Sequence, residues 1–146
     1  VAERSFYGVL SEILGGEALI FAKVRLVDLV WLPRTRNRQA HLNRVISKHV
    51  DFVICNPTTI TPMLVIELDD SSHRLEHRQK RDAFVDDVLC SADIPLLRVP
   101  VQRGYRTKEL AAAIRERIGT ESQLAATELT WPDCLFSTLT DSEPAG

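Results

Sequence analysis

Two β-branched runs, VDFVIC at 50–55 and MLVIELD at 63–69, stand either side of the polar stretch NPTTITP. Short apolar runs rich in Val and Ile and bounded by Asn and Pro read as two strands joined by a turn. A turn centred on Thr59 pairs residues whose numbers sum to about 118, which sets Asp51 opposite Glu67. Side chains alternate along a strand, so Glu67 and Asp69 share a face, ~7 Å apart along the chain, while Leu68 points away. Three carboxylates are thereby gathered at one end of a hairpin. Like charges facing one another across strands cost roughly 1 kcal/mol or more at ~4 Å, depending on the local dielectric. A positive group must offset that repulsion. A divalent cation held through carboxylate oxygens is the simplest choice, and Mg²⁺ suits few carboxylates completed by water and phosphate. A plainer reading stands beside it: acids at a strand end are commonly solvated, and Asp69 and Asp70 can open a turn or help cap the next helix.

The rest of the chain fits around this hairpin. Phe6, Leu10, Ile13 and Leu14 fall on one helical stripe within residues 3–14, and Gly15 and Gly16 end it. Residues 18–29 read as a half-exposed strand, with Lys23 and Arg25 alternating against Val24 and Leu26. Pro33 closes that strand. Residues 34–48 hold Arg34, Arg36, Arg38, Arg44 and Lys48 with no acidic residue, and leave room for a short helix. Ser71 or Ser72 is placed to cap a helix reaching Cys90, with Phe84, Val85, Val88 and Leu89 on its buried side. Residues 94–101 form another strand. Thr107 can cap a last helix over 109–118, with Gly119 as its stop. The expected order is α β, basic insert, β β α β α: an α/β fold in one domain over residues 1–119, with 120–146 a partly irregular C-terminal tail that docks through Trp131, Leu135 and Phe136.

Composition excludes several classes. At 146 residues and 45% hydrophobic the chain can bury one genuine core. A net charge of −2 rules out a uniformly polybasic nucleic-acid binder and makes the acid-free stretch at 34–48 a local basic island. Cys55, Cys90 and Cys134 are widely spaced with no CxxC pair, which points to reduced thiols in a cytoplasmic setting rather than a disulfide or zinc framework. His73 and His77, four apart, lack the HExxH context of a transition-metal pair. No apolar run reaches the ~18 residues of a membrane span. The sequence starts at Val1, as a piece of a longer protein would.

The phrases VDFVIC, VIELDDSSH, RQKRDAFVDDVL and IPLLRVP, in this order after an acid on an early helix, resemble the restriction-endonuclease-like PD-(D/E)xK superfamily. FAKVRL, NRVISKHVDFVIC and IELDDSSH resemble its DUF2726 branch in particular, which is akin to DUF559 and the very-short-patch-repair endonucleases. The likeness runs over residues 3–118. It implies a restriction-endonuclease-like core, a central mixed β-sheet flanked by helices, and a Mg²⁺- or Mn²⁺-dependent nuclease acting on DNA. Residue by residue, Asp51 matches the first motif acid, Glu67 the acid of the second, Glu3 the acid on the first helix, and His73 and Arg81 the His and Arg that follow. Asp69 stands where the superfamily's usual lysine would be. Lys23 or Lys48 would have to replace that lysine in space, unless His73 takes the proton-transfer role.

The resemblance thus implies a site in which Asp51, Glu67, Asp69 and Glu3 hold the metal and His73 transfers a proton near its natural pKa of ~6.5. Arg34, Arg36, Arg38, Arg44, Lys48, Arg78 and Arg81, joined by Arg98, Arg103 and Arg106, would grip the phosphate backbone in a salt-sensitive, sequence-independent way. Two other classes stay open: a catalytically inactive nucleic-acid-binding module on the same fold, and a protein-interaction module whose acids are an incidental patch.

Overall fold

The hairpin at 49–69 forms in the register its sequence dictates. In the computed structural model, which describes residues 2–31, 38–69 and 76–121, β2 (His49–Cys55) and β3 (Pro62–Asp69) pair antiparallel. Phe52 lies opposite Ile66, Val53 opposite Val65 and Ile54 opposite Leu64. Asn56 builds the turn: its side-chain oxygen accepts the N–H groups of Thr58 at 2.8 Å and Thr59 at 3.1 Å, and Ile60 takes the left-handed backbone at φ 60°. The register slips by one at Cys55, opposite Pro62. Proline has no N–H for the ladder and belongs at such a strand start.

β1 (Leu19–Arg25) flanks β2 antiparallel, and β4 (Leu96–Pro100) flanks β3 in parallel, giving a four-stranded mixed sheet in the order β1-β2-β3-β4. β1 is shorter than the 18–29 run suggests. Leu26 is fully buried and its N–H donates to the Lys48 carbonyl at 2.9 Å, so the chain leaves the sheet in a 3₁₀ turn (Leu26–Asp28), where Arg25 pairs with Asp28. β4 likewise begins at Leu96, with Ile94 buried ahead of it.

Helices cover both faces. On one, α1 (Ala2–Leu14) and α4 (Thr107–Glu121) bury Phe6, Leu10, Leu110 and Ile114 against Phe52, Ile54, Leu64, Ile66 and Val99. On the other, α2 (Arg38–Ile46) and α3 (Glu76–Ser91) bury Val45, Val85, Val88 and Leu89 against Val50, Val53, Cys55 and Val65. Sheet residues buried on both faces explain why β2 and β3 read as continuous apolar runs. Each fully buried Phe or Leu contributes ~1.5–3 kcal/mol by leaving water. α1 stops where Gly15 (φ 53°) and Gly16 (φ 87°) adopt left-handed backbone, with the Gly15 N–H on Ser11 O at 3.1 Å. Gly119 does not end α4, contrary to its reading as a stop: the helix runs through it to Glu121, anchored by buried Leu110 and Ile114. A single Gly inside a helix costs only ~1 kcal/mol relative to Ala. The expected caps Ser71 and Ser72, and the tail from residue 122, lie outside the described residues.

Candidate functional site

The sheet forks at the acids. Antiparallel pairing of β2 with β3 ends at Phe52 and Ile66. Beyond it β2 continues only beside β1, with Val50 opposite Val24 and His49 opposite Arg25. β3 continues only beside β4, with Glu67 opposite Arg98 and Asp69 opposite Pro100. Asp51 and Glu67, next in register, therefore stand where the strands part. Asp51 spans the opening: its Oδ2 accepts the Leu68 backbone N–H at 2.9 Å, replacing the ladder bond the fork removes.

The backbone is irregular at the same level. Ile20 on β1 and Phe52 and Ile54 on β2 belong with the α1/α4 core, whereas Val24 and Val50, an even number of residues along, pack with the α2/α3 core. Regular alternation would keep them on one side. Both strands change face at Lys23 and Asp51, and Lys23 makes the change in the left-handed region at φ 55°. That conformation costs a residue with a Cβ ~1–2 kcal/mol.

The change of face brings Lys23 to Glu3 and Asp51. Its Nζ lies 2.7 Å from Glu3 Oε1 and 2.7 Å from Asp51 Oδ1. Glu3 is positioned by α1, which docks one turn further on through Phe6, whose ring stands 5.5 Å from Phe52 and 4.9 Å from Tyr105. The hydrogen bond to Asp51, followed by that to Glu3, raises the Lys23 pKa above its ordinary value. The Asp51 side chain is 22% exposed and that of Lys23 54%, so the ammonium reaches solvent.

Glu67 belongs to a second charged group. Arg98 Nε lies 3.6 Å from Glu67 Oε2, its Nη2 2.7 Å from Asp86 Oδ1, and its Nη1 donates to Asp86 Oδ2 at 3.0 Å. Arg98, expected on a DNA-gripping rim, ties β4 to β3 and α3, because parallel pairing sets it directly opposite Glu67. The positive offset that the clustered acids require thus comes from Lys23 and Arg98. Among the described residues no three His, Cys, Asp or Glu side chains close on one metal-sized position.

The other candidates are spread more widely. Asp69 is exposed at the end of β3, where its carbonyl accepts the Val101 N–H at 2.9 Å. Arg44 on α2 holds its guanidinium 4.3 Å above the Phe84 ring of α3. Lys48 is half-buried between α2 and β2. Arg38 opens α2. Arg106 pairs with Glu109 at 2.9 Å. His73, Arg34 and Arg36 lie outside the described residues, as do the side chains of Arg38, Arg78 and Arg81. The Glu67–Arg98–Asp86 group escaped the sequence reading, although an acid and a base on strands joined by a helix are the residues a parallel pairing would bring together.

The described residues define a mixed α/β domain with a four-stranded sheet that opens at an ion-paired acidic fork, and no helix among them is long and apolar enough to cross a membrane. The chain belongs to the family described as "Protein of unknown function (DUF2726)", whose family model matches residues 1–118. No curated protein and no solved structure matches it.

Proposed function

We propose that the protein is a metal-dependent nuclease that hydrolyses phosphodiester bonds in DNA, on a restriction-endonuclease-like core whose reaction centre is the fork. One observation carries the reading: oxygens of Glu3 and Asp51, on separate elements, each stand 2.7 Å from a single cation, the Lys23 ammonium. Carboxylates that converge on one positive charge fit the needs of Mg²⁺, which takes one or two carboxylates and leaves its other positions to water and substrate phosphate. The residues that would hold Mg²⁺ or Mn²⁺ are Asp51 and Glu67, with Glu3 and Asp69 alongside. When bound there, such an ion would lower the pKa of an attacking water and offset the charge of the phosphodiester.

The chain's own groups do the rest. The Leu68 N–H fixes the Asp51 carboxylate across the fork through Oδ2, and Oδ1 accepts from the Lys23 ammonium at 2.7 Å. Glu67 stands beside Arg98, its Oε2 3.6 Å from the guanidinium Nε. His73 serves as the proton donor or acceptor. Arg34, Arg36, Arg38, Arg44, Lys48, Arg78 and Arg81 hold the DNA backbone through phosphate contacts.

A second reading, a catalytically inactive DNA-binding module, is favoured by the intramolecular cations that Glu3, Asp51 and Glu67 already have. Incubating the chain with plasmid and with single-stranded DNA, with and without Mg²⁺ or Mn²⁺, separates the two. Cleavage that requires the metal and vanishes in Asp51→Ala supports the nuclease. Salt-sensitive binding without cleavage supports the inactive module, and the absence of both removes DNA as the partner.

A further inference from the structure

We propose that Lys23 is the phosphate-contacting residue of the fork, its ammonium aimed by Glu3 and Asp51 so that the remaining N–H meets a nucleic-acid phosphate oxygen. The inference takes the nature of its ligand from the nuclease reading but stands on separate observations. The first is the backbone. A lysine at φ 55° in mid-strand, unlike Ile60 in its turn, is a strained choice that glycine would relieve, and strain of this kind persists only where the surroundings enforce it. The second is geometry. An ammonium carries three N–H donors; one meets Asp51 Oδ1 and one Glu3 Oε1, each at 2.7 Å, which fixes the direction of the third. The third is access. The Lys23 side chain is 54% exposed beside the fork, so it is open to solvent anions. Exposed ion pairs contribute little to stability, so the two that Lys23 makes are weak compensation for the strained conformation that delivers them.

The test uses the full chain and a fluorescent DNA oligonucleotide in EDTA, with affinity measured over a range of salt. Lys23→Gly keeps the fold, with Tm unchanged within roughly 4 °C because backbone relief offsets the lost ion pairs. It should bind DNA roughly 5- to 10-fold more weakly, with the salt slope reduced by ~0.9, the loss of one phosphate contact. Lys23→Arg should restore both. The doubly substituted Lys23→Gly/Glu3→Gln keeps the site's net charge, so it recovers binding if Lys23 only neutralises its neighbours and stays weak if Lys23 touches phosphate. Recovery in that variant, wild-type affinity and slope in Lys23→Gly, or no DNA binding by the wild type overturns the proposal. Metal-dependent cleavage that survives with Lys23-independent binding sinks this proposal alone. Lys23-dependent binding without cleavage sinks the nuclease reading alone.

Discussion

The two cations at the fork do different work. Arg98 sits in a regular strand, its side chain 33% exposed, and holds Glu67 and Asp86 on two separate elements. Asp86 Oδ1 is buried with no directed hydrogen bond beyond that ion pair. Lys23 sits in a strained backbone, its side chain 54% exposed, and holds acids that open to solvent. Arg98 stabilises by burial and geometry. Lys23 sits where stability alone would favour glycine. Strain on one side of the fork and regular pairing on the other is the asymmetry on which the proposed role of Lys23 rests.

The largest effect separates docking from charge. Phe6→Ala removes the ring that seats α1 on Phe52 and so withdraws Glu3 from Lys23; a loss of roughly 3–5 kcal/mol in chemical denaturation is expected. Arg98→Met should cost about 1–2 kcal/mol, because it leaves buried Asp86 Oδ1 without its counter-charge. Equal costs for Arg98→Met and Lys23→Gly would erase the contrast between the two sides. The smallest effect appears with pH. The Lys23 pKa is raised in the folded state, so its contribution to stability is complete below the unfolded lysine value and is lost only as pH rises through the folded one. Denaturation curves of the wild type and Lys23→Met should therefore differ by a constant amount at neutral pH and converge in strong alkali. Thiol labelling gives a further check on packing. Exposed Cys90 should react readily in the native protein, whereas Cys55, buried and with its pKa pushed up by desolvation, should react only on unfolding.

The hairpin was legible because its signals are local. β-branched runs and the Asn56 turn specify both strands and their register as far as Phe52 opposite Ile66; the pairing stops one step short of Asp51 and Glu67, which take separate cations. The two glycines after Leu14 marked the end of α1 for the same reason. Lys23 could be named only as one of two substitutes for the missing motif lysine, since its alternation with Val24 looks regular and no turn residue announces the change of face. Packing from both sides of the sheet imposes that change. The ion pairs of Arg98 are not legible in sequence because its partner Glu67 is set opposite it by a pairing that skips a whole helix. Gly119 does not stop α4, whose Ile118 packs on the core immediately before it, because a single helical Gly carries only a weak local penalty.

The central claim, that a divalent ion enters the fork at Asp51, is read most directly at the Leu68 amide, which donates to Asp51 Oδ2. In a Mg²⁺ titration followed by amide NMR, the Leu68 resonance should move with saturation in the wild type and stay still in Asp51→Asn, while the Val65 amide, bonded to Pro95 O deeper in the sheet, stays still in both. A Leu68 resonance that ignores Mg²⁺ in the wild-type protein would contradict the account.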